Sequence, residues 1–218
     1  MSENIKIKNS RPINCKVILV GDSGVGKTCI INRYLNQYNL DVKTTINTSF
    51  YTKIEIIDNY KIIFQIWDTV GQEKYRSLNS LFFKDAHICI LVYDITKEES
   101  YNNIKDYWYE SVITNGSEGI ILGIAGNKSD LYEYEKVDKN EVKEFSKEIN
   151  SVLRFTSAKN NCLIDELFDE LGKKFVNSNF MKDIRENCSD NIEEEEENIK
   201  VEEKKNKENI SKDKKGCC

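Results

Sequence analysis

The chain has 218 residues, enough for one domain with an appendage and for a core that needs no disulfide staples. Its 32 Lys and Arg against 37 Asp and Glu leave a net charge of −5, so there is no basic footprint for nucleic acid. The seven cysteines make no C-x-x-C pair and are odd in number, which fits a reducing cytosol better than a secreted disulfide framework.

Residues 1–13 are polar and read as a flexible lead-in, with no secretory h-region and no glycine at position 2 for myristoylation. A short apolar strand over 15–20 follows. It runs straight into Gly21-Asp22-Ser23-Gly24-Val25-Gly26-Lys27-Thr28, a G-x-x-x-x-G-K-T cradle for phosphate. The glycines let the backbone turn tightly and aim N–H groups at phosphate oxygens, and Lys27 adds a full positive charge. Thr28 is left to offer its hydroxyl to Mg²⁺. Apolar positions at helical spacing over 29–35, starting at Cys29, supply the helix that this motif needs behind it.

A polar stretch holds Tyr38, Thr44 and Thr45. A threonine here can reach Mg²⁺ and a terminal phosphate together, and Tyr38 can stack on a base edge. Strands over 48–57 and 60–67 flank Asp58-Asn59, which predicts a tight hairpin and hence one antiparallel strand. Trp67-Asp68-Thr69-Val70-Gly71-Gln72-Glu73 closes the second of them. At a strand's carboxyl end, Asp68 can hold Mg²⁺ through its water shell. Gly71 can bring an N–H to the terminal phosphate, and Gln72 can orient a water for in-line attack.

The longest apolar run, 86–93, holds a strand over 87–93 and falls well short of the roughly 18 residues of a membrane span. His87 is read as a strand residue. A helix is predicted over 101–114, with Tyr107-Trp108-Tyr109 serving packing and surface. The strand over 120–126 leads into Asn127-Lys128-Ser129-Asp130. The Asp130 carboxylate can accept from guanine's ring N–H and exocyclic amine and would face repulsion from adenine, so it selects guanine. Asn127 ties the loop together and the stem of Lys128 lies along the base. A helix over 139–149 and a strand over 153–156 precede Thr156-Ser157-Ala158-Lys159, where the Ala158 N–H can meet the guanine carbonyl. The last helix, 163–176, carries Leu163, Ile164, Leu167, Phe168, Leu171 and Phe175 as one apolar stripe.

Beyond 177 the composition turns to Glu, Lys, Asn and Ser, which cannot bury enough apolar surface to offset ordering entropy. Residues 178–218 read as a disordered tail. Glu193 to Glu197 would be repelled by an anionic leaflet. Lys204, Lys205, Lys207, Lys212, Lys214 and Lys215 outnumber Glu208 and Asp213 next to Gly216-Cys217-Cys218.

Five elements in this order resemble the Ras-like small GTPases over 14–177. The segments Phe64-Gln65-Ile66-Trp67-Asp68-Thr69, Lys74-Tyr75-Arg76-Ser77-Leu78 and Leu91-Val92-Tyr93-Asp94-Ile95-Thr96 resemble those that mark the Rab subgroup, regulators of vesicle traffic. The resemblance implies an α/β P-loop NTPase fold of three layers: a six-stranded, mostly parallel sheet with one antiparallel strand and helices on both faces. It implies GTP and GDP as ligands, Mg²⁺ as cofactor and slow hydrolysis with Gln72, Lys27 and Gly71 as the catalytic residues. The nucleotide would lie on residues 22–29, Tyr38, Thr45, Gly71, Asn127, Lys128, Asp130, Ser157, Ala158 and Lys159, and the metal on Thr28, Thr45 and Asp68. Residues 41–50 and 68–81 would be the switches that order with the terminal phosphate. Phe50, Trp67 and Phe82 match the aromatic triad that effectors touch. Partners would be effectors, an exchange factor, an arginine-donating activating protein and, through geranylgeranyl chains on Cys217 and Cys218, the cytoplasmic face of intracellular membranes. A monomer with a cytosolic pool is expected. Rab proteins usually carry glycine at Asn47 and Asp85 and alanine at Val70. A β-branched Val70 beside Gly71 stiffens the loop that must close on the terminal phosphate, so a slow or non-hydrolysing, nucleotide-bound scaffold is the second reading. Asp85 is read as a surface change.

Overall fold

The structure, a computed structural model, describes residues 12–37, 49–69 and 82–182. Its elements are β1 (Ile13–Val20), α1 (Lys27–Tyr34), β2 (Ser49–Ile57), β3 (Tyr60–Asp68) and β4 (Ile88–Asp94). A helix α2 then runs through Glu98–Asn103, a π-wound stretch Ile104–Tyr109 and Glu110–Asn115. β5 (Ile121–Asn127), a 3₁₀ turn Ser129–Tyr134, α3 (Lys139–Glu148), β6 (Val152–Phe155) and α4 (Ile164–Val176) complete the fold. All of these lie in one compact unit ending at Asn177, and residues 179–182 beyond it are helical. No helix among the described residues is long and apolar enough to cross a membrane.

One six-stranded sheet carries the fold, in the order β2-β3-β1-β4-β5-β6. Every pairing is parallel except β2 with β3. That pair is the expected hairpin. Asp58 and Asn59 both take left-handed backbone angles, φ 48° and 69°, which suits a tight turn between twisted strands and short polar side chains. β4 and β5 are buried along their whole length, so they read as unbroken apolar runs, whereas β2 alternates because one of its faces is open.

Helices cover both faces. On one, Ile18, Val20, Leu91 and Tyr93 pack with Tyr101, Ile104, Trp108 and Val142 in a single buried cluster. On the other, Tyr34 stacks on Phe168 at 3.8 Å between ring centroids, and Phe64 meets both rings edge-on. Leu163, placed in the apolar stripe by its spacing, is instead the exposed cap of α4, held at φ 53°. His87 sits beside Phe175, and its Nδ1 accepts the Lys16 backbone N–H at 2.9 Å. Burial, with Lys16 next to it, holds its pKa below the usual histidine value, so it is a neutral structural ring. Asp85 has φ 57°, which explains the glycine usual there: the backbone demands a left-handed residue, and aspartate tolerates the angle better than most.

Strand pairing runs one residue further than the apolar pattern at three points. β3, β4 and β5 end on Asp68, Asp94 and Asn127, which pair with Leu19, Asn127 and Asp94 across the ladder. These polar groups therefore stand on the rigid carboxyl edge of the sheet, not in the loops after it.

Candidate functional site

In an open α/β sheet, ligands bind beyond the carboxyl ends of the strands where the order reverses. Here that point is β1, with β3 on one side and β4 on the other. The Gly21–Thr28 cradle leaves β1 there and enters α1. Gly21 has to be glycine, since a Cβ would stand 2.1 Å from the Val92 carbonyl oxygen. Gly26 caps α1 at φ 100°, and a Cβ on it would meet the Asn127 amide at 2.3 Å.

Lys27 is buried, and its Nζ donates to the carbonyls of Gly21 at 2.7 Å and Asp22 at 2.9 Å. Burial pushes its pKa down to about 8, although Asp68 and Asp22 pull the other way. A buried lysine with its donors directed at loop carbonyls is an environment that suits phosphate.

Thr28 Oγ1 donates to Asp68 Oδ2 at 2.6 Å, so cradle and β3 meet at a hydroxyl and a carboxylate. Hard oxygen donors of this kind suit Mg²⁺. Thr69 fixes the end of β3 by donating from Oγ1 to the Leu19 carbonyl at 2.6 Å.

The base loop is lashed to the cradle. Asn127 Nδ2 donates to the Val25 carbonyl at 2.8 Å, while its Oδ1 accepts from Thr156 Oγ1 at 3.3 Å and from Ala158 N at 3.4 Å. One amide thus joins three of the predicted motifs. Lys128 takes φ 65° and pairs through Nζ with Asp94 Oδ2 at 2.6 Å. Burial would raise the Asp94 pKa, but Lys128 and the Thr96 N–H and hydroxyl outweigh it and hold the carboxyl below its usual value. Asp130 Oδ1 accepts from Ser157 Oγ at 2.5 Å, and its Oδ2 lies 3.9 Å from Lys159 Nζ. The carboxylate that should select guanine is already oriented by the neighbouring loop.

The structure brings together the predicted residues Asp22, Lys27, Thr28, Asp68, Asn127, Lys128, Asp130, Ser157, Ala158 and Lys159. Ser23, Gly24, Val25 and Cys29 lie in the same cradle. Tyr38, Thr45, Asn47, Val70, Gly71, Gln72, Cys217 and Cys218 lie outside the described residues. Phe50, Trp67 and Phe82 touch in a row, with centroids 5.1 Å apart for the first pair and 6.1 Å for the second.

Sequence reasoning missed three supports. Arg33 of α1 donates from Nε to the Ala158 carbonyl at 2.7 Å and from Nη2 to that of Lys159 at 2.9 Å, pinning the last loop. Asp94 anchors Lys128. Trp108, read as packing and surface, is fully buried and donates its indole N–H to the cradle residue Asp22 at 2.9 Å. These pairs are far apart in sequence, and no local spacing announces them.

The Ras family model matches residues 16–177. The chain is 38% identical over 160 residues to Ras-related protein Rab-22A of Homo sapiens, a match spanning 73% of this chain and 82% of that protein. It is 39% identical over 171 residues to Ypt/Rab-type GTPase YPT7 of Saccharomyces cerevisiae, spanning 75% and 82%. With GTP-binding protein ypt3 of Schizosaccharomyces pombe the figure is 38% over 154 residues. A likeness of that extent, carried by a sheet whose carboxyl edge is furnished for a nucleotide, places the chain in the Ras family, within its Rab subgroup, as a small GTPase.

Proposed function

We propose that this protein is a membrane-anchored molecular switch that binds GTP or GDP with Mg²⁺, hydrolyses GTP to GDP and regulates vesicle traffic. The observation that carries the reading is the 2.6 Å hydrogen bond between Thr28 and Asp68, residues 40 apart in sequence that belong to different motifs. Thr28 and Asp68, with Thr45, would hold Mg²⁺, which when bound neutralises charge on the phosphoryl group. Lys27 takes the phosphates, Gly71 donates to the terminal one, Gln72 orients the attacking water, and Asp130 selects guanine. No arginine stands in the cradle, so the transition-state arginine comes from an activating protein, worth about 10³ to 10⁵ in rate.

Residues 14–177 are the GTPase domain, and 178–218 the tether to the cytoplasmic face of an intracellular membrane. Each buried CH₂ of a geranylgeranyl chain contributes about 0.8 kcal/mol, so chains on both Cys217 and Cys218 anchor stably where one holds marginally. Effectors dock over Phe50, Trp67 and Phe82.

Single-turnover hydrolysis tests the switch. Unaided conversion of bound GTP is expected at about 10⁻⁴ to 10⁻³ s⁻¹ and slower still in Gln72→Leu. A rate that Gln72→Leu leaves unchanged, and that no activating protein raises, would establish the scaffold reading that Val70 raises. The intact mass of the cell-derived protein tests the anchor, and absence of isoprenoid from both Cys217 and Cys218 would remove it.

A further inference from the structure

Asp22, the second residue of the cradle, is a carboxylate placed where an anionic phosphate chain is to bind. Its two oxygens are held from one helix: Asn103 Nδ2 donates to Oδ2 at 2.7 Å and Trp108 Nε1 to Oδ1 at 2.9 Å. The same residue's carbonyl accepts from Lys27 Nζ at 2.9 Å. Side chains of α2 are therefore two hydrogen bonds away from the lysine of the phosphate site.

The helix is built for this grip. Asn103 and Trp108 are five residues apart, and in an α-helix, at 3.6 residues per turn, they would point about 140° away from each other. Between them α2 is wound as a π-helix over Ile104–Tyr109, with Asn103 as its N-cap. A π turn bonds residues five apart and so stacks them on one face. Its poorer backbone packing is offset by two charge-assisted bonds to one carboxylate. The bonds also hold the Asp22 carboxylate against α2 and share its charge with two N–H dipoles.

We propose that Asn103 and Trp108 are positioning residues that hold the cradle through Asp22 and set the rate at which bound guanine nucleotide leaves. The inference rests on the nucleotide reading of the cradle. With one donor gone, the carboxylate regains freedom to swing towards the phosphates, and the Asp22 carbonyl no longer fixes Lys27. The π turn thereby acts on the nucleotide site through Asp22.

The test is release of a fluorescent GDP analogue from the full chain, in Mg²⁺ and excess unlabelled GDP. Trp108→Phe, which keeps an aromatic ring and loses the N–H, and Asn103→Ala should each speed release by about tenfold. In an Asp22→Ala background neither substitution should change the rate further, because the carboxylate they act through is gone. Release at the wild-type rate in both single variants would overturn the proposal. So would an acceleration by Trp108→Phe that persists undiminished with Asp22→Ala, since that outcome assigns the effect to core packing. Half-buried Asn103 carries the test if Trp108→Phe does not fold. Failure of the wild-type protein to take up the analogue at all would sink the nucleotide reading itself, and the inference with it.

Discussion

Asp130 and Lys27 are the proposed recognition residues for base and phosphate, and each makes a sharp prediction. Asp130 is oriented by Ser157 before any base arrives, so Asp130→Ala removes a preorganised acceptor and should weaken GDP by about 10² or more in an equilibrium titration. Unchanged affinity would contradict its role. Burial pushes the Lys27 pKa down to about 8, and a phosphate beside it would raise that value. Binding then takes up a proton above pH 8. Affinity should be full below that pH and fall about tenfold between pH 7 and 9. A flat profile would show that the Lys27 pKa does not rise on binding. Both residues were legible from motif spacing alone. Arg33, Asp94 and Trp108, which hold the loops that carry them, were not, because their partners are brought near only by the folded sheet.

Among the elements, α4 and α2 show where periodicity informs and where it fails. The apolar stripe of α4 is real from Ile164 onward, but Leu163 stands outside the helix in a left-handed cap conformation that costs a branched residue about 1 kcal/mol or more. Asparagine tolerates that angle and suits a cap. Leu163→Asn should therefore raise stability by about 1 kcal/mol, read as a higher thermal midpoint, and a lower midpoint would show that the leucine packs usefully. The helix over 101–114 was expected from its pattern, and it exists. Its π winding was invisible, since hydrophobic spacing over one turn does not separate i+4 from i+5 bonding. That winding accompanies two bonds to one carboxylate in the cradle, 81 residues before Asn103. The hairpin, by contrast, was written locally in Asp58-Asn59, where two short polar residues take the positive angles that the turn requires.

For the whole molecule, the alternation of strands and helices and the one antiparallel strand were readable in advance. The order β2-β3-β1-β4-β5-β6 was not, since strand neighbours depend on crossovers that no segment records. That order matters for function because it puts the switch point at β1 and gathers Thr28, Asp68, Asn127 and Asp130 on one edge. The account's central claim is that this edge holds a guanine nucleotide. The direct measurement is the nucleotide carried by the purified full chain and what displaces it. One guanine nucleotide per chain is predicted, exchanged by GTP or GDP, untouched by ATP at the same concentration and released faster when Mg²⁺ is chelated. A chain that carries no nucleotide and binds none, or one from which ATP displaces GDP as readily as GTP does, would contradict it.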